Sequence, residues 1–261
     1  MAAKSNLKKV ILELGGKSPA IVFEDADLEE AAAATSFSVT FVSGQACIAN
    51  SRVYVQESVA EKFTEACLRH YKERRAGAGD PLDPKTTHGP QADSVQFERV
   101  KNYLKEGRNG LGKIELGGDV LNLEGGNGFF IEPSIFTNVP EDAVTMKEEI
   151  FGPVVQLNTF KTESEVLAKA NDTEYGLYGS VFSKDIDRAM RVAVALEAGT
   201  VGVNCTSPTM AHDMPFGGYK MSGQGREGFG YSIDNYLETK SVLIRMRPEG
   251  TTGLQMSGPI A

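Results

Sequence analysis

Cys47 and Glu13 are the residues whose types and spacing could do chemistry. Cys47 sits in Gly44-Gln45-Ala46-Cys47-Ile48-Ala49-Asn50-Ser51-Arg52, and Glu13 lies 34 positions upstream in Leu12-Glu13-Leu14-Gly15-Gly16-Lys17-Ser18-Pro19. A thiolate attacks a carbonyl carbon far better than a hydroxyl does, but it needs a lowered pKa or a base beside it. A thiol after a Gly-Gln turn, whose backbone N–H groups can converge on a developing oxyanion, supplies the nucleophile. A carboxylate at a Gly-flanked strand end supplies the base. The other two cysteines read differently. Cys67 falls on the inner face of a helix, as a small buried hydrophobe does, and Cys205, next to Asn204, takes the same reading. There is no C-x-x-C and no Cys/His cluster at metal spacing, so no metal site is expected and the thiols suit a reducing compartment. His70, His88 and His212 are far apart; His212, alone in a loop, reads as a surface residue.

The elements that must position this pair follow from the pattern. Ala20 to Phe23 reads as a buried strand, and Asp27 starts an alanine-rich helix with acidic residues in its first turn. Arg52 to Gln56 reads as a strand. Ser58 to Glu61 has the form of a capping box, opening a helix with Val59, Phe63, Cys67 and Tyr71 on one face. A Gly/Pro/Asp turn region covers 77–85, and a helix is expected over 93–106. Strands follow near Ile114, over 130–136 and over 154–160, punctuated by Gly117-Gly118 and Gly125-Gly126. Thr162 to Glu165 is a second capping box, with a helix to Ala170. Ser180 to Phe182 is a strand, and Asp185 to Ala198 a helix stopped by Gly199 as a C′ glycine. Thr200 to Asn204 is a strand, Lys240 to Met246 a late strand, and the chain from Arg247 a loose tail. The alternation predicts an α/β fold, a largely parallel sheet flanked by helices. Ligands in such sheets sit beyond the carboxyl ends of strands, and Glu13 and Asn204 both fall at predicted strand ends.

Composition sets bounds. At 261 residues the chain holds one large or two small domains, and 41% hydrophobic residues suffice for a core. A net charge of −8 argues against a nucleic-acid partner. No apolar run reaches the ~20 residues that span a bilayer, so no membrane partner is expected. Met1 to Val10 lacks the apolar core of a signal peptide, which makes a cytoplasmic location the default.

The motifs resemble those of the aldehyde dehydrogenase superfamily. Leu12-Glu13-Leu14-Gly15-Gly16-Lys17 is similar to its glutamate motif and Gly44-Gln45-Ala46-Cys47 to its cysteine motif. Glu148-Glu149-Ile150-Phe151-Gly152-Pro153-Val154 resembles its cofactor-ribose motif, and Gly199-Thr200-Val201-Gly202-Val203-Asn204 matches in order. The run from Pro215 to Glu227 resembles its late signature, and Gly79-Asp80-Pro81 and Gly89-Pro90-Gln91 match lesser motifs. The resemblance runs from Ala2 to about Met246.

What the resemblance implies is a catalytic domain that oxidises an aldehyde to a carboxylic acid through a thiohemiacetal and a thioester on Cys47, with Glu13 as base for the hydrolytic water. It implies NAD or NADP as cofactor, with Glu149 on the nicotinamide ribose, Phe151 near the nicotinamide, and Gln96 and Arg99 bordering the cofactor. Phe216, Ser207 and Thr209 would line the substrate pocket. The division implied is 1–16 as the end of a cofactor domain carrying the glutamate motif, 17–237 as the catalytic domain, 238–247 as an oligomerisation strand and 248–261 as the tail. The family's preceding dinucleotide-binding half, with its glycine-rich turn and the asparagine completing the oxyanion hole, has no counterpart in this sequence. Gly223-Gln224-Gly225-Arg226-Glu227-Gly228 has the letters of a nucleotide turn, but it belongs to the late signature. The chain by itself is therefore expected to bind NAD(P) weakly or not at all, to turn over little, and to associate as a homo-oligomer. An alternative stands beside this reading: a stand-alone, non-redox descendant reusing the Cys47/Glu13 pocket on an activated acyl compound, as a cofactor-independent hydrolase, isomerase, cyclase or binding protein.

Overall fold

β-Branched and aromatic runs build a seven-stranded sheet in the computed structural model, which describes residues 2–109, 112–123, 128–209 and 213–246. The strands are β1 (Pro19–Val22), β2 (Arg52–Gln56), β3 (Lys113–Leu116), β4 (Ser134–Thr137), β5 (Val154–Phe160), β6 (Tyr178–Phe182) and β7 (Thr200–Val203). They lie in the order β3-β4-β5-β2-β1-β6-β7. Only the β3/β4 pair is antiparallel. The expected α/β fold is thus the one observed. β1, β4 and β6 are buried on both faces, which is why they read as nearly unbroken apolar runs.

Helices cover both faces. They are α1 (Leu28–Thr40), α2 (Ala60–Ala76), α3 (Ser94–Arg108), α4 (Val144–Lys147), α5 (Glu163–Asn171), α6 (Ile186–Ala195) and α7 (Phe229–Asp234). Alternation along β1 divides the core. Ile21 joins Tyr54, Val100, Leu104, Val166 and Val192 on the α3, α5 and α6 side. Ala20 and Val22 join Ala31, Val39, Phe63 and Tyr71 on the α1 and α2 side.

The caps decide where helices begin. Asp27 accepts from the Glu30 N–H at 3.1 Å, Asp93 from the Gln96 N–H at 2.8 Å and Thr162 from the Glu165 N–H at 3.2 Å. Ser58 does not cap. A 3₁₀ turn over Glu57–Val59 precedes α2, and the Ser58 hydroxyl donates to Glu24 Oε2 at 2.7 Å instead. α6 stops at Ala195, earlier than expected. Gly199 is not a left-handed C′ residue; it is small because the Gly217 carbonyl presses on the place a Cβ would take. The strand expected from Phe130 begins at Ser134. Lys240 to Met246 form no strand, since among the described residues no sheet edge pairs with them, and Val242, Leu243, Ile244 and Met246 are all exposed. β propensity without a partner makes no ladder. Gly125-Gly126, His212 and the expected tail from Arg247 lie outside the described residues.

Candidate active site

The segments leading into β1, β2 and β5 meet at the amino ends of the parallel strands, and they carry the site. Glu13 precedes β1, Cys47 precedes β2, and Glu149 and Phe151 precede β5. The expectation of a site beyond the carboxyl ends is therefore corrected. The glycine-bearing turns that let backbones approach one another are on the entering side of these strands. Asn204 lies at the opposite end, just after β7. Its side chain clasps Ser183, accepting from the backbone N–H and donating to the carbonyl, each at 3.0 Å.

A left-handed turn presents Cys47. After α1 the chain passes through Val42, Ser43 and Gly44 at φ 47°, 56° and 77°. A β-branched residue in this region is a true outlier. At Gly44 a Cβ would also collide with the Gly152 carbonyl. Glu13 is held in a two-residue strand, Leu12–Glu13, paired antiparallel with Gly223–Gln224. That pairing gives the Gly223-to-Gly228 run its place and rules it out as a nucleotide turn. The half-buried Cys47 thiol donates to Glu13 Oε1 at 3.6 Å. Burial first, and then the Glu13 carboxylate, push the thiol up to about 11; the Cys47 backbone N–H, turned toward its own sulfur, works against the rise. The resting thiol is protonated and points at its base. Gly16 makes this approach possible, because any Cβ there would run into the Cys47 carbonyl oxygen.

Glu149 closes the other side. Its Oε1 accepts from the Gly16 N–H at 2.9 Å, and a Cβ on Gly15 would come within 2.5 Å of its Oε2. Burial holds this carboxyl above its ordinary pKa, against the pull of the Gly16 N–H, Arg99 and Lys17. Gln96 Nε2 donates to the carbonyls of Phe151 at 2.7 Å and Ile150 at 3.2 Å, while Arg99 donates to the Glu149 carbonyl at 2.9 Å. Both α3 residues thus grip the backbone of 149–151, and Phe151 sits half-buried with a left-handed φ of 59°.

Phe216 packs against Ile48, Leu177 and Tyr178 together with Ala46 and Cys47. With Tyr178, Cys205, Thr209 and Met214 it lines a cavity of about 210 Å³. Ser207 is absent from that lining; it is buried against α1, its hydroxyl 2.5 Å from that of Ser38. Cys205 is half-buried at the cavity wall, more accessible than a small core hydrophobe, whereas Cys67 is buried as expected. Sequence reasoning missed Tyr178, an aromatic inside a strand with no local signal. It also missed Lys17, which is buried with no hydrogen-bond partner for its ammonium despite lying in the glutamate motif.

The model of the aldehyde dehydrogenase family matches residues 1–242. An aldehyde dehydrogenase of Alternaria alternata is 49% identical over 247 residues, covering 94% of this chain and 48% of that protein. Aldehyde dehydrogenase 1A1 of Gallus gallus is 47% identical over 245 residues, 94% of this chain and 47% of that protein. Among solved structures, the indole-3-acetaldehyde dehydrogenase AldA of P. syringae, a mutant in complex with NAD+ and IAA, superposes with a TM-score of 0.89 at 38% identity, over 94% of this chain and 49% of that one. The NAD+ complex of an aldehyde dehydrogenase from Bacillus cereus gives 0.89 at 39% identity, over 94% and 49%. The chain spans about half the length of the curated relatives it matches. On a family model that matches nearly the whole chain, this protein belongs to the aldehyde dehydrogenase family.

Proposed function

We propose that this chain carries the catalytic half of an NAD(P)-dependent oxidation of an aldehyde to a carboxylic acid. The observation that carries the reading is the Cys47 thiol directed at Glu13 beneath the Gly16 turn. Glu13 takes the thiol proton as sulfur bonds to the aldehyde carbon and the C=O π pair moves to oxygen, and the Cys47 backbone N–H donates to the oxyanion of the resulting thiohemiacetal. The C–H bond then breaks with its electron pair, leaving a thioester on Cys47. A nicotinamide dinucleotide, when bound, supplies the acceptor for that hydride. Glu13, exposed to solvent, discharges its proton and accepts another from water, whose oxygen bonds to the acyl carbon as the C–S bond breaks.

The described residues fit one end of that cofactor. Glu149 keeps Oε2 facing Gly15, where no Cβ obstructs it, so its carboxylate suits a ribose hydroxyl pair, with Phe151 beside it for the nicotinamide ring. Gln96 and Arg99 position these two through their backbone. No strand-to-helix turn among the described residues is glycine-rich, so the pyrophosphate and adenosine find no cradle in them. We accordingly expect weak NAD(P) binding by this chain alone; micromolar affinity by calorimetry would refute this. Phe216 and Thr209 are proposed as aldehyde-contacting residues, and Ser207 as a support for them through Ser38.

The remaining assignments are proposals on the same footing: 1–16 as the end of a cofactor domain, 17–237 as the catalytic domain, 238–247 as a segment that pairs with another subunit in a homo-oligomer, 248–261 as a tail, and a cytoplasmic location. Among the described residues no helix is long and apolar enough to cross a membrane. The matches along 94% of the chain leave the non-redox alternative without support. The test is hydrolysis of p-nitrophenyl acetate, with mass spectrometry of the Cys47 peptide. An acetyl thioester on Cys47, and loss of hydrolysis in Cys47→Ala, are expected. Equal rates in the variant and the wild type would remove Cys47 as nucleophile.

A further inference from the structure

The left-handed run at Val42, Ser43 and Gly44 is costly for its two non-glycine residues. It persists only if its surroundings over-determine it. Gln45 holds it from within, donating from Nε2 to the Val42 carbonyl at 2.9 Å, Gly44 lies against the Gly152 carbonyl, and one short segment bonds to it from outside. The buried Gln91 donates from Nε2 to the Ser43 carbonyl at 3.0 Å. The Ser43 hydroxyl donates to the Gly89 carbonyl at 2.6 Å. Gln45 donates from Nε2 to the Pro90 carbonyl at 3.3 Å and accepts at Oε1 from the Ala92 N–H at 2.7 Å. Four hydrogen bonds thus tie residues 43–45 to residues 89–92. The segment is itself anchored in the core: Gln91 N–H donates to the Phe129 carbonyl at 2.8 Å, and His88 Nε2 lies 2.8 Å from the carbonyl of the fully buried Ile131.

We propose that Gln91 is a positioning residue for the nucleophile, clamping the strained turn so that the Cys47 sulfur stays within reach of Glu13. Gln91 touches neither residue and acts through the Ser43 carbonyl. The inference rests on the Cys47–Glu13 reading above. The amide is a fitting device, since its one engaged N–H satisfies the Ser43 carbonyl, and its Oε1 is buried without a partner. An apolar side chain of the same length would fill the space and lose the clamp.

The test is iodoacetamide alkylation of the full chain from pH 7 to 10, each cysteine followed by peptide mass spectrometry. Gln91→Met is expected to raise the Cys47 rate at pH 8.5 at least fivefold, because a released thiol loses the carboxylate that holds its proton; Glu13→Gln does the same. Cys205 should stay within twofold and Cys67 should stay protected. If Glu13→Gln speeds Cys47 and Gln91→Met does not, the inference falls. If neither moves Cys47, the Cys47–Glu13 pairing falls first. A rise at Cys67 together with Cys47 shows general loosening and overturns the positioning role. Should Gln91→Met lose its melting transition, Ser43→Ala, which removes only the bond to Gly89, is read against the same three outcomes.

Discussion

The sulfur of Cys47 lies 3.6 Å from Oε1 of Glu13, with the thiol as donor. This contact sets reactivity in two opposite ways. Burial and the neighbouring carboxylate keep the proton on sulfur, up to about 11, so the wild-type alkylation rate should rise about tenfold per pH unit from neutrality to near pH 10. Glu13→Gln removes the negative charge and the basic oxygen, leaving only an amide oxygen as acceptor. Its Cys47 profile should shift to lower pH while ester hydrolysis falls by about 10²–10⁴-fold, the usual worth of a positioned base. Faster alkylation together with slower turnover is the signature; a loss of both would mean that the site had collapsed.

Gly16 separates the two catalytic segments by the width of a hydrogen atom. A methyl group there would push the Cys47 carbonyl, and with it the entry to β2, away from Glu13. Gly16→Ala is expected to cost ~1–3 kcal/mol of stability as overpacking. It should also raise Cys47 alkylation toward that of Glu13→Gln. Thermal unfolding and alkylation on one sample check both; an unchanged melting temperature would show that the turn has room to move.

Much of this was legible in the sequence, for identifiable reasons. Asp27, Asp93 and Thr162 announce their helices because a side-chain oxygen satisfying an orphan N–H is a local matter. Ala20 to Phe23 announces a buried strand because an unbroken apolar run is a local signal too, although which of its residues faces which helices is not. Gly16 and Gly44 stand in motifs whose letters are visible, although the carbonyls that exclude a Cβ come from distant segments. Ser58 misled because a capping box competes with the tertiary acceptor Glu24. Lys240 to Met246 forms no strand in the single chain, because a strand needs an edge to pair with. Placing the site at carboxyl ends failed because strand direction within the sheet is non-local. The clamp by Gln91 was beyond reach for the same reason, as it joins residues 48 positions apart.

Arg52 shows how a buried cation supports the site from beneath. It donates from Nε to the Lys17 carbonyl at 3.0 Å, and from its terminal nitrogens to the carbonyls of Ala170 at 2.9 Å and Lys169 at 3.2 Å. It thereby caps the end of α5 while fixing the segment between Gly16 and β1. Arg52→Met leaves three backbone carbonyls and the Tyr54 hydroxyl without this donor and should lower stability by about 2–4 kcal/mol. Arg52→Lys should recover little, since an ammonium cannot span three carbonyls as a fork does. Urea denaturation with an unchanged slope and a lowered midpoint is the expected result; full recovery by lysine would assign the effect to charge alone.

Lys17 makes a prediction of opposite sign. Its ammonium is buried without a hydrogen-bond partner, and its pKa is lowered from 10.5 to about 7, first by burial and then by Arg52, against the pull of Glu149 and Glu148. A group whose folded pKa is depressed contributes stability above its unfolded pKa and loses it as the pH falls toward the folded value. Between about pH 10.5 and 7 the unfolded chain holds more protons at this position, so stability rises with pH. At pH 7 the cost of keeping this site approaches a few kcal/mol, at ~1.4 kcal/mol per pKa unit. Lys17→Met keeps the length of the side chain and removes the titration. Its stability relative to wild type should therefore increase steadily as the pH is lowered from 10 to 7, then level off. Urea midpoints at three pH values measure this. A difference that stays constant with pH would mean that Lys17 keeps its charge inside the fold, bridged to Glu149 by a partner such as water.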